Sequence, residues 1–205
     1  MTAVIFDVGN VLIRWDVYRL YRDLLPDDTA IDAFLDEVGF HDWNRGLDAG
    51  ADWDESVAAL SARHPGHADR IAAFRDRWHD TVPGAIDGSV AILAELAAAG
   101  TPLYAITNFA APRWDETVAR FPFLASFRDV VVSGRERLTK PDPAIFRLLL
   151  DRNALDPAAA VFVDDSAANI AAAAALGLDA IRFTDPAALR RDLEARGLLG
   201  PARTA

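Results

Sequence analysis

The chain of 205 residues is 52% hydrophobic and 25% charged, a composition typical of a globular protein with a substantial buried core. Its formal net charge of −10 opposes binding to nucleic acid and to anionic membranes, both of which attract clusters of lysine and arginine. The absence of cysteine excludes disulfide bonds, thiolate catalysis and cysteine-based zinc sites, so any metal ion must be held by oxygen or imidazole ligands.

Hydropathy gives no sign of a membrane segment. No uncharged apolar stretch approaches the roughly 20 residues that a transmembrane helix needs. We therefore expect a cytoplasmic protein without membrane or nucleic-acid partners, either a monomer or a homodimer.

The first predicted element is a buried strand that ends at a carboxylate. Residues 3–6 are apolar, Asp7 follows them, and Gly9 and Asn10 supply a turn. A short apolar run bounded by turn residues is typical of a strand covered on both faces, as in a parallel sheet. Such sheets bind ligands beyond the carboxyl ends of their strands, which is where Asp7 lies.

The next block of the chain is predicted to be helical. Its apolar residues recur at helical spacing and no strand pattern is evident; the predicted helices are 17–25, 30–38, 54–64 and 68–79. Because this block follows the first strand, we predict a helical cap domain at 15–83, inserted into a core domain made of 1–14 and 84–205.

Strand and helix patterns alternate in the remainder of the chain. The predicted strands are 102–106, 130–132, 159–163 and 180–183, and the predicted helices are 87–99, 143–152, 169–176 and 186–196. This alternation predicts an α/β fold, in which a parallel sheet carries helices on both faces.

Polar side chains follow three of the predicted strands: Asp7, Thr107-Asn108 and Asp164-Asp165. Lys140 precedes a predicted helix. The carboxyl ends of parallel strands meet at one edge of the sheet, so these groups are expected to converge. Carboxylates beside a cation and a hydroxyl suit an anion held with Mg²⁺, which prefers oxygen ligands and often bridges carboxylates to phosphate. The sequence therefore predicts a magnesium and phosphate site.

Four motifs at these positions resemble those of the haloacid dehalogenase-like hydrolases. They are Phe6-Asp7-Val8-Gly9-Asn10-Val11-Leu12, Ala105-Ile106-Thr107-Asn108, Lys140-Pro141-Asp142-Pro143, and Phe162-Val163-Asp164-Asp165-Ser166-Ala167-Ala168-Asn169. The resemblance implies a Rossmann-like core with strand order 3-2-1-4-5 and a small helical cap inserted after the first motif.

The same resemblance implies a role for each site residue. Asp7 would be the nucleophile and form a covalent phospho-enzyme, while Lys140 would neutralise charge. Thr107 and Asn108 would face the substrate. The implied ligands of Mg²⁺ are Asp7, the backbone carbonyl of Gly9 and Asp165, with Asp164 or Asn169 ordering the metal-bound waters.

Gly9 departs from the pattern of most phosphatases in the family. They carry a second aspartate at this position, which protonates the leaving alcohol and later activates water. The Asp-Xaa-Gly-Asn-Val form resembles a branch that contains bacterial sugar-phosphate phosphatases, including α-glucose-1-phosphate phosphatase, so a sugar phosphate is the favoured substrate. A cap histidine, His41 or His79, is a candidate to replace the missing acid.

Two alternatives remain. A 2-haloacid dehalogenase uses the same nucleophile, Asp7, without a metal and needs no proton for its leaving halide, which fits Gly9. However, the adjacent carboxylates Asp164 and Asp165 are difficult to explain without a cation. The second alternative is a protein of the same fold that binds or regulates with little turnover, since fold alone does not determine function.

Substrate specificity is expected to depend on the cap. The cap is expected to close over the leaving-group side of the site, and its loop at 40–46 to set specificity, with Trp43 a candidate to stack on a sugar ring and Arg45 a candidate to bind a second anion. The other cap tryptophans are expected mainly to build the cap's own core, and the histidines to lie on its surface.

Overall fold

A computed structural model describes residues 2–200 and contains a five-stranded parallel sheet in the order β3-β2-β1-β4-β5. The strands are β1 (Ala3–Phe6), β2 (Leu103–Thr107), β3 (Asp129–Val132), β4 (Ala160–Asp164) and β5 (Asp179–Arg182). The predicted α/β fold and its strand order are confirmed. β1 lies in the centre of the sheet and is fully buried, as its continuous apolar sequence predicts.

Five α-helices lie in the stretch predicted as the cap, 15–83, called the helical segment below: α1 (Val17–Tyr21), α2 (Asp28–Glu37), α3 (Phe40–Asp48), α4 (Trp53–Arg63) and α5 (Ala68–Asp76). Within residues 2–200 this stretch contains no strand, in agreement with the predicted pattern. Its core is aromatic: Phe74 lies 4.9 Å from Phe40, 5.6 Å from Trp43 and 5.7 Å from Trp53, measured between ring centroids.

The other helices pack against the sheet: α6 (Asp87–Ala98), α7 (Ala111–Arg120), α8 (Ser133–Glu136), α9 (Pro143–Arg152), α10 (Ala167–Ala175) and α11 (Pro186–Ala195). Alternate residues of β1 point to opposite faces. Val4 and Phe6 join the apolar cluster that includes α6 and α11, whereas Ile5 joins the cluster that includes α9 and α10. Both faces are thus covered. No helix of residues 2–200 has the length and hydropathy to cross a bilayer.

The prediction of a loop at 40–46 is wrong, because these residues form most of helix α3. Gly39 precedes the helix with a φ of 65°, in the left-handed region that glycine adopts at little cost. Phe40 and Leu47, seven residues apart, are buried on one face, while His41 and Asp42 are exposed. Gly46 and the polar residues between them obscure this helical pattern in the sequence.

The carboxyl end of α3 is attached to the core of the molecule. Ser133 Oγ donates a hydrogen bond to the backbone oxygen of Asp48 at 2.6 Å and accepts one from Phe109 N at 2.8 Å. Gly50, with a φ of +90°, passes so close to Gly134 that a Cβ built on Gly50 would lie 2.7 Å from Gly134 O. The end of α3 therefore has a defined position relative to the sheet.

The chain enters and leaves the helical segment at adjacent points. Ile13 and Ala85 form an antiparallel bridge, Arg14 N donates to Gly84 O at 2.9 Å, and Ile86 N donates to Leu12 O at 2.8 Å. The two connections between the helical segment and the sheet are thus hydrogen-bonded to each other.

The close packing at Gly134 leads to a first prediction. A Cβ at this position would lie 2.6 Å from Ala111 N and 2.8 Å from Phe109 O, both backbone atoms that cannot move aside cheaply. Gly134→Ala is expected to lower the free energy of unfolding by about 1–3 kcal/mol. Gly46→Ala is the matched control: a Cβ there meets nothing within 4 Å, and alanine should stabilise α3 by roughly 0.5–1 kcal/mol. Urea unfolding of both variants measures the difference, and equal midpoints would contradict the packing described here.

Candidate active site

A cavity of about 200 Å³ opens at the carboxyl ends of the central strands, between the sheet and the helical segment. From the sheet side it is lined by Asp7, Gly9, Asn108, Lys140 and Asp165, among others. Asp7 follows β1 directly, and its backbone N–H donates to Val163 O of β4 at 2.8 Å. The pairing of the strands therefore brings together groups that are far apart in sequence.

Lys140 lies between two carboxylates. Its Nζ is 2.9 Å from Asp7 Oδ1 and 2.7 Å from Asp164 Oδ2, and its side chain is 1% exposed. Burial alone would lower the pKa of Lys140, but the charges of Asp7 and Asp164 raise it above its ordinary value. Burial raises the pKa of Asp7 to about 7, while the ammonium of Lys140 acts in the opposite direction. Lys140 is therefore a permanent buried cation.

Asp164 is fully engaged by its protein partners. Besides Lys140, it accepts hydrogen bonds from Ser166 N at 2.8 Å and from Asn169 Nδ2 at 2.9 and 3.0 Å. The side chain is completely buried. Both carboxylate oxygens of Asp164 therefore already accept hydrogen bonds from the protein.

The donor set fits a divalent cation. Asp7, Asp164 and Asp165 each place one carboxylate oxygen within 4.8 Å of the others, and Lys140 is the cation bound to this cluster. Burial raises the pKa of Asp165, and the charge of Asp164 adds to the effect. Crowded negative charge of this kind is relieved by a cation with oxygen ligands. Because Asp164 is engaged, Asp7 and Asp165 are the carboxylates suited to hold Mg²⁺, with Gly9 beside them.

Thr107 and Asn108 end β2 on the same side. Thr107 is 1% exposed, and its Oγ1 has no hydrogen-bond partner among the described residues. A buried hydroxyl without a partner is costly, and a bound ligand could satisfy it. Asn108 forms a reciprocal pair with the backbone of Lys140, since its Oδ1 accepts from Lys140 N at 2.8 Å and its Nδ2 donates to Lys140 O at 3.0 Å. Asn108 thus positions Lys140 as well as lining the cavity.

Two of the predicted substrate-binding residues lie elsewhere. Trp43 packs on Phe40 and donates from its Nε1 to Ser56 O at 3.2 Å, so it belongs to the core of the helical segment. Arg45 is exposed and pairs with Asp42 on the surface of α3. Both expectations assumed a loop over the substrate; as parts of a helix, these side chains turn away from the cavity.

The cap histidines also lie away from the cavity. His79 Nε2 is 2.7 Å from Glu116 Oε2 at the surface, and His41 is an exposed residue of α3. Among the residues that the structure describes, no histidine lines the cavity. The candidate acids proposed from the sequence are therefore not in place.

The sequence also missed residues that line the cavity. Asn44 and Asp48 approach it from α3, a helix that the sequence pattern does not indicate. Trp15, Trp53 and Trp78 also line the cavity, whereas the sequence favoured packing roles for them. Trp53 and Trp78 do both, since they are 7% and 5% exposed and belong to the apolar core.

Comparisons with known proteins agree with this fold. Residues 1–177 match the family model described as "haloacid dehalogenase-like hydrolase". The chain is 27% identical over 199 residues to the sesquiterpene phosphatase astK of Aspergillus oryzae, which covers 97% of this chain and 96% of that protein. It is also 45% identical to mouse acyl-CoA dehydrogenase family member 10 over 74 residues. This alignment covers 36% of this chain and 7% of that protein.

Solved structures share the fold. A HAD family enzyme of Bacteroides thetaiotaomicron, in complex with magnesium and inorganic phosphate, superimposes with a TM-score of 0.69 at 20% identity, covering 90% of this chain and 95% of that one. The L-2-haloacid dehalogenase of Xanthobacter autotrophicus gives a TM-score of 0.63 at 21% identity, covering 98% and 85%. At these identities the likeness concerns the fold alone.

Proposed function

Because the chain belongs to the haloacid dehalogenase-like hydrolases, we propose that it is a Mg²⁺-dependent phosphomonoester hydrolase of small phosphorylated metabolites. The observation that carries this proposal is the placement of Lys140 Nζ, 2.9 Å from Asp7 Oδ1 at the edge of a cavity. A carboxylate beside a buried cation is suited to attack an anionic substrate, because the cation offsets their mutual repulsion.

The proposed reaction divides hydrolysis into two transfers at Asp7. An oxygen of Asp7 attacks phosphorus, the bond to the leaving oxygen breaks, and an aspartyl-phosphate forms; water then attacks phosphorus and releases inorganic phosphate. Lys140 balances charge beside the nucleophile, and Thr107 donates its unpartnered hydroxyl to a phosphoryl oxygen. A Mg²⁺ ion held by Asp7, Asp165 and the carbonyl of Gly9 supplies further charge neutralisation when bound.

The residues that line the cavity indicate what kind of organic group the substrate carries. Trp15, Trp53, Trp78 and Phe109 line it, and the amide of Asn44 is already hydrogen-bonded to Asp48. Sugar hydroxyls need polar partners when they are buried. We therefore extend the substrate class favoured by the sequence, sugar phosphates, to esters with an apolar organic group. The name of the Aspergillus oryzae relative, a sesquiterpene phosphatase, supports this extension.

The helical segment serves as the cap in this proposal. We assign residues 15–83 to the cap, which supplies Trp53 and Trp78 to the wall of the cavity, and the described residues 2–14 and 84–200 to the catalytic core. Such a cap excludes water during the first transfer, which favours attack by Asp7 over solvent.

The dehalogenase alternative retains one supporting observation, the absence of a carboxylate at Gly9. Against it, three carboxylates, Asp7, Asp164 and Asp165, are crowded together beside one ammonium group, that of Lys140, and a metal ion would relieve this crowding. The alternative of a binding protein with little turnover is favoured only by the same residue, Gly9.

One set of assays tests the proposed function. Purified protein is given p-nitrophenyl phosphate, glucose 1-phosphate or farnesyl monophosphate, with Mg²⁺ or with EDTA, and phosphate is measured. We expect release that depends on Mg²⁺ and falls to background in EDTA, with farnesyl phosphate turned over at least as well as glucose 1-phosphate. Chloride release from 2-chloropropionate in EDTA would instead establish the dehalogenase, and no release from any compound would favour the binding protein.

A further inference from the structure

The cavity contains a carboxylate with no role in the reaction described so far. Asp48, the last residue of α3, lines the same cavity as Asp7 but belongs to the helical segment. The usual position for a second carboxylate in the family, two residues after the nucleophile, is Gly9, where a Cβ would meet nothing within 4 Å. The site therefore lacks the carboxylate usual at position 9, on the sheet side, and has an additional carboxylate, Asp48, on the cap side.

The position of Asp48 is set by the core rather than by the helical segment alone. Its backbone oxygen accepts the 2.6 Å hydrogen bond from Ser133 Oγ, and Ser133 is itself held by Phe109 N. Phe109 follows Thr107 and Asn108 and also lines the cavity. The hydrogen bonds that hold Asp48 thus connect it through Ser133 to Phe109, one residue beyond Asn108, on the sheet side of the same cavity.

The surroundings of Asp48 favour its protonated form. Among residues 2–200 no cationic side chain pairs with it, and its hydrogen-bond partner is the neutral amide of Asn44, whose Nδ2 lies 3.3 Å from Oδ2. Burial and the negative charge of Asp7 raise the pKa of Asp48 to about 7. A carboxyl group in such a setting can hold a proton at neutral pH and release it to a leaving group.

We propose that Asp48 is the general acid and base that replaces the carboxylate missing at Gly9, an inference that rests on the proposed phosphatase function. In the first transfer, Asp7 bonds to phosphorus, the phosphorus–oxygen bond to the alcohol breaks, and the proton of Asp48 passes to that oxygen. In the second transfer, Asp48 takes a proton from water while the oxygen of that water attacks phosphorus, and the bond between phosphorus and Asp7 breaks. Alcohol and inorganic phosphate leave, and Asp48 is protonated again.

Asp48→Asn tests this role, because asparagine keeps the shape and removes the proton donor. With phenyl phosphate, whose leaving group needs a proton, we expect kcat to fall about 10²–10⁴-fold. With p-nitrophenyl phosphate, which leaves without help, the first transfer should survive. The variant should then release one equivalent of p-nitrophenol in a burst and accumulate phosphorylated Asp7, detected by intact-protein mass spectrometry after an acid quench.

The Gly9→Asp substitution provides a rescue that a structural role cannot explain. In the Asp48→Asn background, it restores a carboxylate at the family's usual position and should recover at least about 10-fold in kcat on phenyl phosphate. Asp42→Asn is the control, since Asp42 is an exposed residue of the same helix outside the cavity, and its activity should equal that of the wild type.

The outcomes separate the two proposals. If the wild type hydrolyses both esters and Asp48→Asn behaves like it, or loses both activities equally without phospho-enzyme and without rescue, the role of Asp48 is overturned and the phosphatase stands. If the wild type releases no phosphate, both proposals fail together.

Discussion

Asp7→Asn is expected to abolish phosphate release, with kcat reduced at least about 10³-fold, because an amide oxygen cannot form the covalent intermediate at a useful rate. Asparagine has the same shape and can still accept the 2.6 Å hydrogen bond from Val8 N, so the fold should be retained. The measurement combines phosphate release with intact-protein mass spectrometry, in which no phosphorylated species should appear at any quench time.

A matched control shows whether the loss of activity is specific to Asp7 or follows from the loss of any carboxylate. Asp87 is an exposed residue in the first turn of α6 and does not line the cavity. Asp87→Asn should therefore retain wild-type activity. Activity in Asp7→Asn above about one tenth of the wild-type value would exclude Asp7 as the nucleophile.

Lys140→Met is expected to have the largest effect on stability. The substitution removes the cation between Asp7 and Asp164 and leaves two buried carboxylates without their partner. Breaking one side of a buried ion pair typically costs about 3–5 kcal/mol, which is a large share of the stability of a small domain. Urea denaturation at pH 7.5 should show the loss, and phosphatase activity should disappear with it.

A double-mutant cycle distinguishes lost pairing from poor packing of methionine. Asp164→Asn removes one of the stranded charges while its amide keeps contacts with Ser166 and Asn169. The Lys140→Met/Asp164→Asn protein should regain part of the lost stability, so that the two changes cost less together than the sum of each alone. Activity should not return. Additive losses would show that Lys140 and Asp164 do not stabilise each other.

The strands and their site residues could be predicted because both depend on local pattern. A continuous apolar run such as 3–6 can be stable only where it is covered on both faces, and Asp7 then falls at the edge where ligands bind. The order of the strands then explains why these site residues lie close together. Once β1 lies between β2 and β4, the convergence of Thr107 and Asp164 with Asp7 follows from geometry.

The cap side of the site could not be predicted in this way, because it depends on contacts between distant parts of the chain. Ser133 fixes Asp48 from 85 residues further along the chain, and no local pattern indicates that pairing. Trp43 and Trp53 also cannot be told apart from the sequence, because both are tryptophans of the predicted helical cap. Both rings pack against Phe74, but only Trp53 also lines the cavity, and this difference depends on how helices α3 and α4 are oriented in the folded chain.

The hydrogen-bonded crossing at Ile13 and Ala85 has a consequence for how such an enzyme can diversify. Since the segment departs and returns at neighbouring positions, a replacement of any length could be spliced there without disturbing strand pairing. The exchanged piece would carry the three tryptophans of the cavity wall and Asp48 with it, whereas Phe109, Asp7 and Lys140 would remain in the core. Ester preference and proton transfer would therefore be inherited as one unit, separately from the nucleophile.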